Sequence, residues 1–138
     1  MDRLQRLLIR HESLRNKPYE DTTGNLTIGV GRNLESLGLS RDECLYLLDN
    51  DIARCDRELR HNFKWYLELC RVRQDAMINL CFNLGITRLL TFKKALAAMA
   101  EGDFNKSADE FLDSKWATQV GPTRSSDIDC MVRTGRYP

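Results

Sequence analysis

Between His11 and Asn33 the chain reads HESLRNKPYEDTTGNLTIGVGRN. Three side chains in this stretch could do chemistry together: Glu12, Asp21 and Thr27. Glu12 falls where a first helix should stop. Asp21 falls in the turn Tyr19-Glu20-Asp21-Thr22-Thr23-Gly24, and Thr27 in a strand just before Gly29-Val30-Gly31. Two carboxyls brought across a cleft by a hairpin suit acid and base work on an acetal. One protonates the leaving oxygen while the other handles water or a cationic centre. The carbonyl end of a helix is a poor place for a carboxylate charge and therefore a fitting one for a proton donor. Taken singly, each residue has a plainer reading: a helix-ending glutamate, a turn-capping aspartate, a threonine chosen for strand propensity.

The elements that must hold these groups are legible nearby. Leu4, Leu7, Leu8 and His11 recur at helical spacing, which predicts a helix over 2–11 with Asp2 as its N-cap. Leu26-Thr27-Ile28-Gly29-Val30 alternates and is rich in β-branched residues. Thr22-Thr23-Gly24-Asn25 is its hairpin turn, with Gly24 free to take positive φ. Residues 18–33 carry the strand signals, and 34–39 is a short loop. Ser40-Arg41-Asp42-Glu43 is a capping box opening a long helix to about Arg60, on which Cys44, Leu48, Ile52, Cys55 and Leu59 share a stripe. Phe63 to Leu69 is aromatic-rich. Arg71–Leu84 is apolar on nearly all sides, the mark of a central helix, and Gly85 caps it. Helices capped by Thr91 (through Ala100) and by Asp103 (through Leu112) follow, then a short turn at Trp116. The Gly121-Pro122 break precedes a last helix over 125–132, closed by Gly135.

The totals exclude little. The chain has 138 residues, 42% hydrophobic and 30% charged, with a net charge of +1, so overall charge favours no partner. Arg3, Arg6, Arg10, Arg15 and Lys17 form a local basic stretch, which could meet an anionic polymer or simply be a solvated face. The near-neutral total argues against a nucleic-acid binder. Cys44, Cys55, Cys70, Cys81 and Cys130 include no CxxC, and neither His11 nor His61 has metal-ligand spacing. The five read as small buried hydrophobes in a chain that folds in a reducing compartment, with no metal site. The charged, amphipathic start Met1–Arg10 has no apolar run suited to a signal peptide or a membrane span. The expected fold class is α+β and mostly helical: one domain over 1–138. Its parts are a hairpin lobe at about 12–39, a linking helix at about 40–61, and a helical lobe at about 62–138 together with the N-terminal helix 2–11.

The order Glu12, Asp21, Thr27, Ile28-Gly29-Val30-Gly31 resembles the catalytic segment of phage-type lysozymes, the endolysins of T-even phages and their relatives. The resemblance runs through nearly the whole chain. Gln74 to Gly85 is similar to the family's central helix, Phe92 to a phenylalanine of its next helix, and Arg133-Thr134-Gly135-Arg136-Tyr137 to its closing motif. Ser114-Lys115-Trp116, Gln119, Pro122 and Arg124 stand in family order. The resemblance implies a lysozyme-like fold with a small hairpin lobe and a larger helical lobe joined by a long helix. It implies a muramidase that cuts peptidoglycan at the β-1,4 bond between N-acetylmuramic acid and N-acetylglucosamine. Glu12 would be the general acid, Asp21 the ionised support for water or the cationic centre, and Thr27 the group orienting that water, with inversion the family's usual outcome. Asn33, Phe82 and Asn83 would contact substrate, while Trp116 reads as core. No metal or cofactor is implied.

The resemblance further implies a monomer that acts on peptidoglycan and not on nucleic acid. It would accumulate in the host bacterial cytoplasm until a separate holin releases it to the periplasm and cell wall. A non-catalytic peptidoglycan-binding module of the same fold is the alternative. This sequence departs from the family in its very short 34–39 loop, in Arg32 where relatives have histidine, and in Asp127 where arginine is common. Asp51 on the long helix is the expected partner of Arg32, and Arg124 is expected to pair with Glu12 or Asp21.

Overall fold

The computed structural model describes residues 1–138 and is α+β, predominantly helical. Eight α-helices accompany one small antiparallel sheet of three strands in the order β1-β2-β3. The chain divides into two compact units, Met1–Leu47 and Leu48–Pro138. The division runs through the long helix, and the N-terminal helix belongs to the unit that holds the sheet.

In the first unit, α1 (Arg3–Glu12) opens with a full capping box. Asp2 accepts from the Gln5 backbone N–H, and the Gln5 side chain accepts in return from the Asp2 N–H. Glu12 is its last residue. Ser13 follows at φ +67, a left-handed conformation seldom adopted outside glycine, and its N–H closes the helix on the Ile9 carbonyl. The sheet starts at β1 (Arg15–Glu20), earlier than the strand signal suggested. β2 (Leu26–Gly29) pairs with it, Tyr19 opposite Thr27, with an irregular register between Arg15 and Tyr19. Pro18 lies in that stretch. A residue with no N–H is tolerated there because β1 is an edge strand. β3 (Arg32–Asn33) adds a third, very short strand with Asn33 opposite Thr27.

The helix α2 (Arg41–Asn62) begins as its sequence predicts. The Glu43 N–H donates to Ser40 Oγ at 3.1 Å, and the Ser40 N–H donates to Glu43 Oε1 at 3.2 Å. The expected Arg32–Asp51 pair is absent. Arg32 donates instead to Glu43 at 2.8 Å and to the Gly38 carbonyl at 3.1 Å, while Asp51 pairs with Arg54 at 3.6 Å. The short 34–39 loop brings Arg32 to the first turn of α2, where the capping box already holds the Glu43 carboxylate. The Arg32 guanidinium, and after it the Ser40 hydrogen bonds, hold that carboxyl below its ordinary range.

The second unit contains the core. Its centre is α3 (Arg71–Leu84), with Ala76, Met77, Ile78, Leu80 and Cys81 all buried. Cys55 and Leu59, the two buried residues of α2, join that cluster. Around it lie α4 (Ile86–Leu89), α5 (Lys93–Glu101), α6 (Phe104–Leu112), α7 (Lys115–Val120) and α8 (Pro122–Thr134). Each large side chain fully buried here contributes about 1.5–3 kcal/mol of transfer free energy. Tyr66 is fully buried and donates its hydroxyl to Asp56 Oδ1 at 2.8 Å. The Gln74 amide donates to the Tyr66 and Leu69 carbonyls, tying the aromatic turn to α3.

Several local expectations change. Thr91 does not cap α5; its hydroxyl donates back to the Arg88 carbonyl, and α4, unforeseen in the sequence, fills the space before it. The last helix starts at Pro122 and not near Ser125, because proline's fixed φ and missing N–H suit the first helical position. Asp103 caps α6 as expected, accepting from the Lys106 N–H. Of the cysteines, Cys55 and Cys81 are buried. Cys44 and Cys70 are exposed and Cys130 is half-buried, against the expectation that all five are core.

Candidate active site

Glu12, Asp21 and Thr27 all lie in the first unit, each on a different kind of element. Glu12 projects from the C-terminal turn of α1. It lines a hollow of about 390 Å³ together with Gln5, Leu8, Ile9, Val30 and Gly31. The Gly31 backbone takes φ +68, so the chain turns tightly beside the glutamate.

Asp21 sits at the mouth of the β1–β2 turn. Its Oδ1 accepts from the Thr23 N–H at 2.9 Å, the Thr23 hydroxyl at 2.9 Å and the Asn25 N–H at 2.8 Å. This is an Asx turn extended by two further donors, the Thr23 hydroxyl and the Asn25 N–H. The Asn25 N–H, followed by the Thr23 hydroxyl, favours the charged form and holds the Asp21 carboxyl below its ordinary range. Asp21 is thus kept ionised, with its other oxygen outside this network.

A carboxyl depressed on folding stabilises the folded turn above its ordinary value. That stabilisation is lost as pH falls through the lowered value. The turn should therefore hold down to about pH 4, where a free aspartate titrates, and loosen only below it. Thr23→Val, which removes one donor, is expected to move the Asp21 midpoint upward in a carboxyl carbon NMR titration. An unchanged midpoint would mean that the Thr23 hydroxyl does not act on Asp21.

Thr27 is buried in β2, between Tyr19 and Asn33 on the neighbouring strands. Its hydroxyl proton goes to the Asn25 carbonyl at 2.9 Å. Asn25 therefore joins the two residues: its N–H binds Asp21 and its carbonyl binds Thr27. With its proton directed inward, the Thr27 oxygen can only accept a further hydrogen bond, which fits a group that orients water. In the sequence Asn25 reads only as part of the hairpin turn; its spacing from Asp21 is the signal available for this linking role.

Asn33 turns its side chain to a local task. Its Oδ1 accepts from the Glu35 and Ser36 N–H groups, each at 3.0 Å, which leaves its amide NH₂ as the group free for a ligand. Phe82 and Asn83 belong to α3 in the second unit. Phe82 is exposed and lines a hollow of about 430 Å³ with Leu48, Ile52, Ile78, Asn79, Arg124 and Tyr137. Asn83 Oδ1 accepts from the Trp116 indole N–H at 2.9 Å, so half of its amide is engaged in holding the core. Trp116 itself is buried, as its sequence reading expects. No three His, Cys, Asp or Glu side chains gather at metal-holding distance. No helix is long and apolar enough to cross a membrane.

The closing motif is structural. Arg133 pairs with Asp109 at 2.7 Å and Asp129 at 2.8 Å, and Gly135 caps α8 at φ +68. The Arg73 guanidinium donates to the last carbonyls of α8, at Val132 and Arg133, and lies over the Phe104 ring. Tyr137 donates its hydroxyl to Asp75.

The phage lysozyme family profile matches residues 9–129, a span containing Glu12, Asp21 and Thr27. The chain is 31% identical to the endolysin of Acyrthosiphon pisum secondary endosymbiont phage 1, over 80% of this chain and 75% of that one. It is 29% identical to probable T4-type lysozyme 1 of Dictyostelium discoideum, over 85% of each. It is 28% identical to the pre-baseplate central spike protein Gp5 of Enterobacteria phage T4, over 94% of this chain but only 27% of that protein's length. With most of its length matched by the family profile, and its helical fold with a small three-stranded sheet in agreement, the chain belongs to the phage lysozyme family.

Proposed function

We propose that this protein is a peptidoglycan-degrading muramidase of the endolysin type. It hydrolyses the β-1,4 bond between N-acetylmuramic acid and N-acetylglucosamine. The observation that carries the reading is the placement of two carboxyls in one small unit of a phage lysozyme chain. Asp21 accepts from three donors, which favour its charged form, while Glu12 lines a hollow at the end of α1. A pair of carboxyls is what acid and base work on a glycosidic bond requires.

Glu12 donates a proton to the glycosidic oxygen as the bond to the leaving sugar breaks. Asp21 bears the negative charge that favours the oxocarbenium-like centre and the attacking water. Thr27 accepts a hydrogen bond from that water and fixes its direction. Asn33 offers its amide NH₂ to the glycan, and the substrate roles of Phe82 and Asn83 in the second unit are carried over from the family resemblance.

Digestion of purified Gram-negative peptidoglycan should release muropeptides with N-acetylmuramic acid at the reducing end, identified by borohydride reduction and mass spectrometry. Reducing-end N-acetylglucosamine would overturn the bond assignment. Sedimentation with the wall and no released product would favour a non-catalytic binding module.

The reading extends to a monomer held in the host cytoplasm until a separate holin releases it, as the family resemblance implies. The likeness to a phage spike protein favours a second setting, a wall-opening enzyme carried on the virion. Detection of the chain in purified particles would decide for the second, and its absence there for the first.

A further inference from the structure

We infer that Gly31 is a positioning residue, which fixes where the Glu12 carboxyl rests by having no side chain. The inference rests on the reading of Glu12 as the proton donor.

A Cβ built on Gly31 would lie 3.0 Å from Glu12 Oε2, 3.2 Å from Cδ and 3.3 Å from Cγ. All three distances are shorter than ordinary van der Waals contact. The whole end of the glutamate side chain, and not only one oxygen, therefore occupies the space a methyl group would need. The neighbour is a flexible side chain, so the carboxyl would give way. Displacing a proton donor by a fraction of an ångström to one ångström is enough to slow the chemical step.

Backbone conformation alone does not explain the glycine. Gly29, two residues earlier in the same hairpin, has φ +69 against +68 at Gly31, and a Cβ there would meet nothing within 4 Å. Both positions are strained when substituted, since both lie at nearly the same positive φ. They differ in what the added carbon touches.

That difference makes a matched pair. Gly31→Ala and Gly29→Ala are compared by the side-chain carboxyl carbon resonance of Glu12 in the folded protein, and by kcat and KM on soluble glycan. Gly31→Ala should move the Glu12 resonance and lower kcat several-fold, short of the roughly 10²-fold that a misplacement of about 1 Å costs, with KM little changed. Gly29→Ala should leave the resonance in place and retain most of kcat. If Gly31→Ala does not fold, Gly31→Asn and Gly29→Asn replace the pair, since asparagine tolerates positive φ and carries the same Cβ.

A Glu12 resonance that stays in place in the Gly31 variant, or that moves equally in both, would overturn the inference. A resonance that moves in the Gly31 variant alone, with kcat intact, would uphold the positioning but remove Glu12 from the proton-donor role.

Discussion

Glu12→Gln is expected to abolish clearing of permeabilised Gram-negative cells while the wild type clears them, with the two proteins equal in melting temperature. The side chain keeps its shape but can no longer donate a proton to the leaving oxygen. The loss of a positioned general acid should lower the rate by about 10²–10⁴-fold. Glu12 lies exposed at the end of α1, so the fold has little reason to change with it. Equal clearing by the two proteins would mean that the acid lies elsewhere and that Asp21 and Thr27 have been assigned to the wrong reaction.

The second large effect is on stability. Trp116→Ala should destabilise the second unit by about 3–5 kcal/mol, the range for removing a buried aromatic. This corresponds to a lowering of the melting temperature by roughly 10–20 °C. The indole is 1% exposed and meets the edge of Phe111, whose ring is in turn close to Phe92. Its N–H donates to Asn83 at 2.9 Å. Asn83→Ala should therefore also lower the melting temperature, by a smaller amount, because it leaves that N–H without its partner at a cost of about 1–3 kcal/mol. Calorimetry of the two variants checks both. A Trp116→Ala protein that melts with the wild type would show that the α6–α7 aromatic cluster does not hold the core.

The location of Asn83 bears on function too. The resemblance to phage lysozymes implies a substrate contact at Asn83, and one side of its amide is bound to Trp116. The NH₂ group is the side left for the proposed sugar contact. A substitution there would mix the two effects, so KM at Asn83 is informative only beside a melting curve.

Much of this protein was legible in its sequence, because the signals concerned act over a few residues. Asp2, Ser40 with Glu43, and Asp103 each satisfy backbone groups within one helical turn, and each does so in the structure. Gly85, Gly102 and Gly135 end helices where no side chain has to be accommodated at positive φ. The apolar encirclement of Arg71–Leu84 marked the centre of the core. Glu12, Asp21 and Thr27 stand close together in the sequence, and all three lie in the first unit.

The tertiary structure alone decided the partners of long or adaptable side chains. Arg32 pairs with Glu43, which the capping box fixes beside a short loop, and not with the Asp51 that the sequence suggests. Whether a cysteine is buried depends on which helix covers it, so Cys55 and Cys81 lie inside while Cys44 and Cys70 remain outside. Ser13 takes a glycine-like φ because α1 must end there for β1 to begin, and no feature of the serine itself announces it. The link from Asp21 through Asn25 to Thr27, and the room that Gly31 leaves for Glu12, exist only once the hairpin has closed. Local sequence specifies elements and their ends because caps and turns are satisfied by near neighbours. It does not specify which distant atoms meet, because that depends on the summed geometry of every element between them.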